Sequence, residues 1–195
     1  QIMQGMLKMV GLAPKAAPAP SDAQIAAAAM AEVEGPLRLL RFPLRDVAAA
    51  IYFVQGNRGV DTWASADQRG FYFRGGMLVA TRGLGGDLMH ADVAQSLSLV
   101  QARRQGAARR VMHYLTGDNQ PDAQSFECRI TRGAAQHTAY AAMSAQTVQM
   151  RESCTGGDRH FENLYWVTAQ GRIVRSEQWQ GDMAEMITIT DLRNW

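Results

Sequence analysis

Lysine is almost missing from this sequence of 195 residues: it occurs at Lys8 and Lys15, and every other basic residue is arginine. From Ser21 onward arginines and acids balance, so the formal charge of +2 belongs to the first 20 residues. A neutral body lacks the basic surface that binding to a phosphate backbone requires, which argues against nucleic acid as a partner. Long apolar runs are missing too. No stretch approaches the roughly 18 consecutive apolar residues of a transmembrane helix.

The usual chemical signatures are also lacking. His90, His113, His137 and His160 form no HxH, HxxxH or HExxH pattern, and Asp87, His90 and Asp92 in DLMHAD, three ligands on a bend, are weak evidence for a metal centre. No GxSxG surrounds a serine, and neither cysteine has a histidine at a recognisable spacing. In TRGLGGDL the third glycine of a dinucleotide fingerprint would fall at Leu88, and no GK[ST] follows. These glycines read as bend formers. The string Arg69-Gly70-Phe71-Tyr72-Phe73 puts Tyr72 where an RNA-recognition strand needs a small residue, and Arg74 where it needs valine. Arg103-Arg104 and Arg109-Arg110 read as solvated rims. Neither a catalytic set, a cofactor nor a metal is expected.

What is present is strand chemistry behind a short leader. Pro14, Pro18 and Pro20 among alanines make residues 1–20 an extended, flexible Pro/Ala tether. Ser21 and Gln24 form a capping box that opens a helix over about 22–34, ended by Gly35-Pro36. A chain that starts at Gln1 reads as trimmed, with an anchoring sequence already removed. From Leu37 the apolar period becomes two. LRLLRF, AIYFVQ, VDTWASAD, FYFRG and MLVATRG are separated by Gly, Asn or Asp, as consecutive hairpins require. ADVAQSLSLVQARRQG is the one internal stretch with helical spacing, with Asp92 as its cap and Gly106 as its end.

Strands then resume to the end of the chain, and ENLYWVTAQGRIVRSEQW is the clearest hairpin. About ten strands and two helices predict a predominantly antiparallel all-β domain over residues 21–195, built as a curved sheet, half-barrel or sandwich. Hydrophobic residues at 47% supply a full core for one such domain. Cys128 and Cys154 both lie in alternating, strand-forming segments without a CxxC. That pair fits a bridge made in an oxidising compartment, or two buried free thiols in a cytosolic protein.

Two segments carry a resemblance. GVDTWASADQRGFYFRGGMLVATRGLGGDL and FENLYWVTAQGRIVRSEQW are similar to the group 4 capsule polysaccharide lipoprotein family, the YjbF/GfcB type. The first places the pattern on Trp63, Asp67, Gly76, Thr81, Gly83-Leu84 and Asp87-Leu88. The second places it on Asn163, Tyr165-Trp166-Val167, Gly171, Ser176, Gln178 and Trp179. Met77 departs from it, because family members often carry arginine there.

The resemblance implies a secreted Gram-negative lipoprotein, acylated on a cysteine ahead of Gln1 and facing the periplasm from the outer membrane. It implies a part in capsule or exopolysaccharide production without a demonstrated enzymatic activity, and it favours the Cys128–Cys154 disulfide. Three functions follow as expectations. The first is a non-enzymatic accessory factor that touches envelope polysaccharide-export proteins. The second is a carrier that holds a glycan or lipid-linked intermediate in a curved sheet, with Trp63, Tyr165, Trp166 and Trp179 stacking on sugar rings. The third is a glycan-modifying enzyme.

Overall fold

The computed structural model describes residues 18–183 and 186–195, so the tether expected over residues 1–20 lies almost wholly outside the described residues. Helix α1 (Asp22–Glu32) starts where the sequence places it: Ser21 accepts from the Gln24 amide, and the Gln24 side chain accepts from the Ser21 N–H. At its other end Arg193 donates to the carbonyls of Met30, Val33 and Gly35, satisfying acceptors that a helix C-terminus leaves open.

Twelve strands follow among the described residues: β1 (Leu37–Phe42), β2 (Val47–Asn57), β3 (Val60–Ser65), β4 (Gly70–Arg74), β5 (Met77–Arg82), β6 (His90–Asp92), β7 (Gly106–Leu115), β8 (Pro121–Tyr140), β9 (Met143–Gly156), β10 (Arg159–Val167), β11 (Ile173–Trp179) and β12 (Met186–Asp191). Helix α2 (Ala94–Gln101) sits between β6 and β7.

All strands join one antiparallel sheet in the order β5-β4-β3-β2-β1-β12-β11-β10-β9-β8-β7-β6. Two meanders therefore meet where β1 pairs with β12, and their far ends, β5 and β6, curl toward each other. The Thr81 N–H donates to the Leu88 carbonyl across that seam at 2.9 Å. The result is a nearly closed barrel.

Turn chemistry explains the tight connections. Between β4 and β5 the two residues Gly75 and Gly76 have φ of 55° and 92°, the left-handed pair that suits the twist of a two-residue hairpin. Alternation then sorts the side chains. Phe71, Phe73, Leu40, Ile187 and Ile189 pack inside one half of the barrel, and Met112, Phe126, Ile130, Met150 and Phe161 inside the other. Outside, Leu37 and Leu39 lie under α1, while Met143 on the long β8–β9 hairpin covers Trp166 and Val174.

Three details differ from the sequence expectation. Strand β6 has only three residues, too few for a periodic signal. Strand β8 runs for 20 residues, through an Ala- and Gly-containing stretch with little strand propensity, because β9 pairs with it along that length. Gly106 opens β7 instead of closing α2, which ends at Gln101 and is followed by Arg103 in the left-handed region (φ 52°). Asp92 does accept from the Ala94 N–H at 3.1 Å, one residue ahead of the α2 cap position.

Cys128 and Cys154 are directly paired across β8 and β9 and form a disulfide. Closing this loop contributes roughly 3 kcal/mol by chain-entropy arithmetic. Unreduced protein should therefore show no alkylatable thiol by intact mass, and Cys128→Ser/Cys154→Ser should unfold at a lower urea concentration. Two alkylated cysteines, or an unchanged midpoint, would contradict the bridge's structural role.

Candidate functional site

Between the strands that carry the disulfide and α2, one carboxylate collects four groups. Glu152 on β9 is fully buried, on the same face as Val148, Met150 and Cys154. Arg110 from β7 donates to its Oε2 at 2.7 Å, Tyr165 OH at 2.7 Å and Asn163 Nδ2 at 2.9 Å. Ser96 of α2 donates to Oε1. Asn163 turns its own oxygen to the Trp179 N–H at 2.7 Å, so the cluster reaches β11.

Burial alone would push the Glu152 carboxyl up, but Arg110 and the three neutral donors more than offset this and hold it below its ordinary range. The same balance works on Arg110, where burial is outweighed by the Glu152 charge and the pKa is raised. Burial, then the Glu152 charge, raises Tyr165, keeping it a donor. The ligand atoms of Glu152, Cys128 and Cys154 lie within 4.8 Å of one another, yet both sulfurs are spent in the disulfide and offer no thiolate to a metal.

A second polar centre occupies one end of the barrel. Asp191 on β12 accepts from Arg38 Nε of β1 at 2.9 Å and from Arg172 Nη2 at 2.7 Å. The Arg38 guanidinium lies over the rings of Trp63 and Phe73, at 4.2 and 4.6 Å, and burial depresses its pKa against the pull of Asp191. Trp195 closes the stack: its ring lies 3.7 Å from Arg172 and 5.7 Å from Trp63. Beside this stack opens a cavity of about 270 Å3, reached by Arg38, Asp61, Gln101, Gln170 and Trp195.

The residues singled out from the sequence fall into four places. Asp67 holds the exposed β3–β4 turn, accepting from Ser65 Oγ and pairing with Arg69. Thr81, Gly83 and Leu84 form the bend after β5. There Asp87 accepts from the Gly83 and Leu84 N–H groups at 2.8 and 3.1 Å and from Thr81 Oγ1 at 3.0 Å. Asn163 and Tyr165 belong to the Glu152 cluster.

Ser176 and Gln178 form the fourth group, a bridge across the interior. The Gln178 oxygen accepts from the Leu78 N–H at 2.9 Å, and its nitrogen donates to the Gly76 carbonyl at 3.0 Å and to Ser176 Oγ at 2.8 Å. One side chain thus pairs with the backbone of strand β5 at the sheet edge.

The aromatic residues do not form a stacking platform. Trp63 and Tyr165 are fully enclosed, Trp166 is covered on the outer face, and Trp179 stacks on Phe161 at 4.5 Å. Arg110 corrects the reading of Arg109-Arg110 as a solvated rim: alternation sends Arg109 out and Arg110 to the centre. Sequence reasoning missed Glu152, Arg38, Asp191 and Asp61. The available signal was a charge inside an apolar alternation, as in Val148, Met150, Glu152, Cys154.

The sequence profile of the family described as "Group 4 capsule polysaccharide lipoprotein gfcB, YjbF" matches residues 10–192. Among solved structures, the hypothetical lipoprotein YmcC from Escherichia coli K12 is 17% identical, with 89% of this chain and 91% of that chain covered and a TM-score of 0.76. That likeness is one of fold. An exported protein with a YmcC-like fold from Bacteroides fragilis is 8% identical over 81% of this chain and 93% of its own, with a TM-score of 0.34. At that distance it bears on no argument. No curated protein matches the chain.

Because the Glu152 pKa is depressed by folding, its stabilisation is complete above the ordinary glutamate range, about 4.3, and is lost as pH falls through the lower folded value. The stability gap between wild type and Glu152→Gln should therefore narrow in acid, measured by urea unfolding at neutral pH and below 4; a constant gap contradicts an ionised Glu152. Gln178→Ala should cost about 1–3 kcal/mol, since it strands buried backbone groups, and should speed hydrogen exchange at Leu78. Unchanged exchange there would show that the bridge is dispensable.

Proposed function

The chain belongs to the group 4 capsule polysaccharide lipoprotein family, and from that membership we propose that it is a non-enzymatic accessory factor in capsule or exopolysaccharide assembly or export. In this reading a lipid on a cysteine ahead of Gln1 anchors it to the outer membrane, facing the periplasm. Its partners are envelope proteins of the export machinery.

The observation that carries the non-enzymatic part is the state of the interior carboxylates. Glu152 and Asp191 are both buried and both committed to arginines, one with a full set of donors and one with two guanidinium groups. A general acid or base must be within reach of a substrate proton, and these two are held in the packing instead. The disulfide supports an oxidising compartment. Membership in a lipoprotein family supports a place in the cell envelope.

The carrier reading with sugars stacked along the concave sheet finds little support, because that side is filled by the two apolar clusters and by the Glu152 donors. Open space remains at the barrel end and along α1, where cavities of about 530 and 590 Å3 flank the helix.

Deleting the gene should reduce surface polysaccharide, and a plasmid copy with its native leader should restore it. Crosslinking in intact envelopes should recover an export component, and membrane fractionation should place the acylated protein with the outer membrane. Unchanged polysaccharide in the deletion would contradict the assembly role.

A further inference from the structure

The cavity beside Trp195 has an unusual polar inventory. The Arg38 side chain is 5% exposed, and while its Nε is engaged by Asp191, its Nη1 is buried without a partner among the described residues. Asp61 enters the same space from β3, half-buried, and makes no ion pair with Arg38 or Arg172 among the described residues. The amides of Gln101 and Gln170 complete the rim, and Trp195, at 48% exposed, supplies an aromatic surface.

The walls hold their positions through close backbone approach. A Cβ on Gly76 would come within 2.9 Å of the Ile173 side chain, and one on Gly171 within 3.0 Å of the Gln101 carbonyl. The β4–β5 turn, the β10–β11 turn and the end of α2 therefore converge on this cavity only because glycine occupies both turns.

The charges decide what fits. A bare anion would meet Asp61, and a cation would meet Arg38 and Arg172. A hydroxyl group suits both sides at once, because it donates to the Asp61 carboxylate while it accepts from the guanidinium of Arg38, which also lines the cavity. Several hydroxyls on a ring with an apolar C–H face would also use the indole of Trp195. We propose that this cavity binds one neutral pyranose unit of a polysaccharide chain, which rests on the reading of the protein as a polysaccharide-assembly factor. Asp61 and Arg38 hold vicinal hydroxyls, Gln101 and Gln170 offer further amide contacts, and Trp195 covers a ring face.

The test is NMR of the isotope-labelled protein, titrated with methyl β-glucopyranoside and methyl β-galactopyranoside, and with sodium glucuronate and sodium sulfate as charged probes. A neutral pyranoside should shift the Trp195 indole and the Gln101 and Gln170 amide signals saturably in the millimolar range. Asp61→Asn should weaken that binding about tenfold or more, near 1.4 kcal/mol, without moving the urea midpoint. Trp195→Ala serves as the second variant should Asp61→Asn fail to fold.

No saturable shift with either neutral pyranoside, full affinity in the folded variant, or tighter binding of sulfate or glucuronate would each overturn the proposal. The two readings separate cleanly. A missing sugar response with gene-dependent polysaccharide removes this site alone. A retained response with polysaccharide unchanged on deletion removes the assembly role alone.

Discussion

A buried carboxylate must be matched by charge and by hydrogen bonds, or its desolvation penalty undoes the fold around it. Glu152 sets that condition here. Satisfying it requires Arg110 on β7, Asn163 and Tyr165 on β10 and Ser96 on α2 to arrive together, with Asn163 extending the link to β11. No apolar cluster imposes so specific a demand, since hydrocarbon side chains of similar volume exchange at modest cost. A one-residue slip of β9 would send Glu152 outward and leave Arg110 alone in the core. The adjacent disulfide fixes the same register covalently, at the Cys128–Cys154 pair two residues away.

The quoted family pattern makes structural sense once its residues are placed. Asp67 and the group of Thr81, Gly83 and Leu84 with Asp87 shape two turns, while Gln178 and Ser176 tie the β5 edge to β11. Asn163 and Tyr165 complete the Glu152 shell, and Trp63 lies beneath the Arg38 guanidinium. These are positions where a substitution leaves a backbone group, a carboxylate or a cation without its partner. The cavity at the barrel end is lined instead by Arg38, Asp61 and Trp195, outside that pattern, and is held open by Gly76 and Gly171 within it.

Local chemistry made much of the fold legible. The Ser21–Gln24 capping box announced α1, and glycine pairs between alternating segments announced the hairpins. Strand β6 was hidden by its length, and the far half of β8 by its alanines, whose strand conformation comes from the partner strand. The interior charges were hidden for another reason. Arg109-Arg110 looks like a solvated pair until the two-residue period is applied, which sends the two guanidinium groups to opposite faces. Which acid would meet Arg110 depended on β7, β8, β9 and α2 coming together, and no local pattern encodes that. The end cavity was less legible still, because it gathers residues from β1, β3, two turns and the last residue of the sequence.

The most direct measurement is a double-mutant cycle in urea on Arg110→Met and Glu152→Leu at neutral pH. If the carboxylate organises this half of the barrel, each single change should cost about 3–5 kcal/mol, because it strands a buried charge. The double variant should then cost less than the sum of the two by about 2–3 kcal/mol. Costs that simply add, to within about 0.5 kcal/mol, would show two independent side chains and contradict the account.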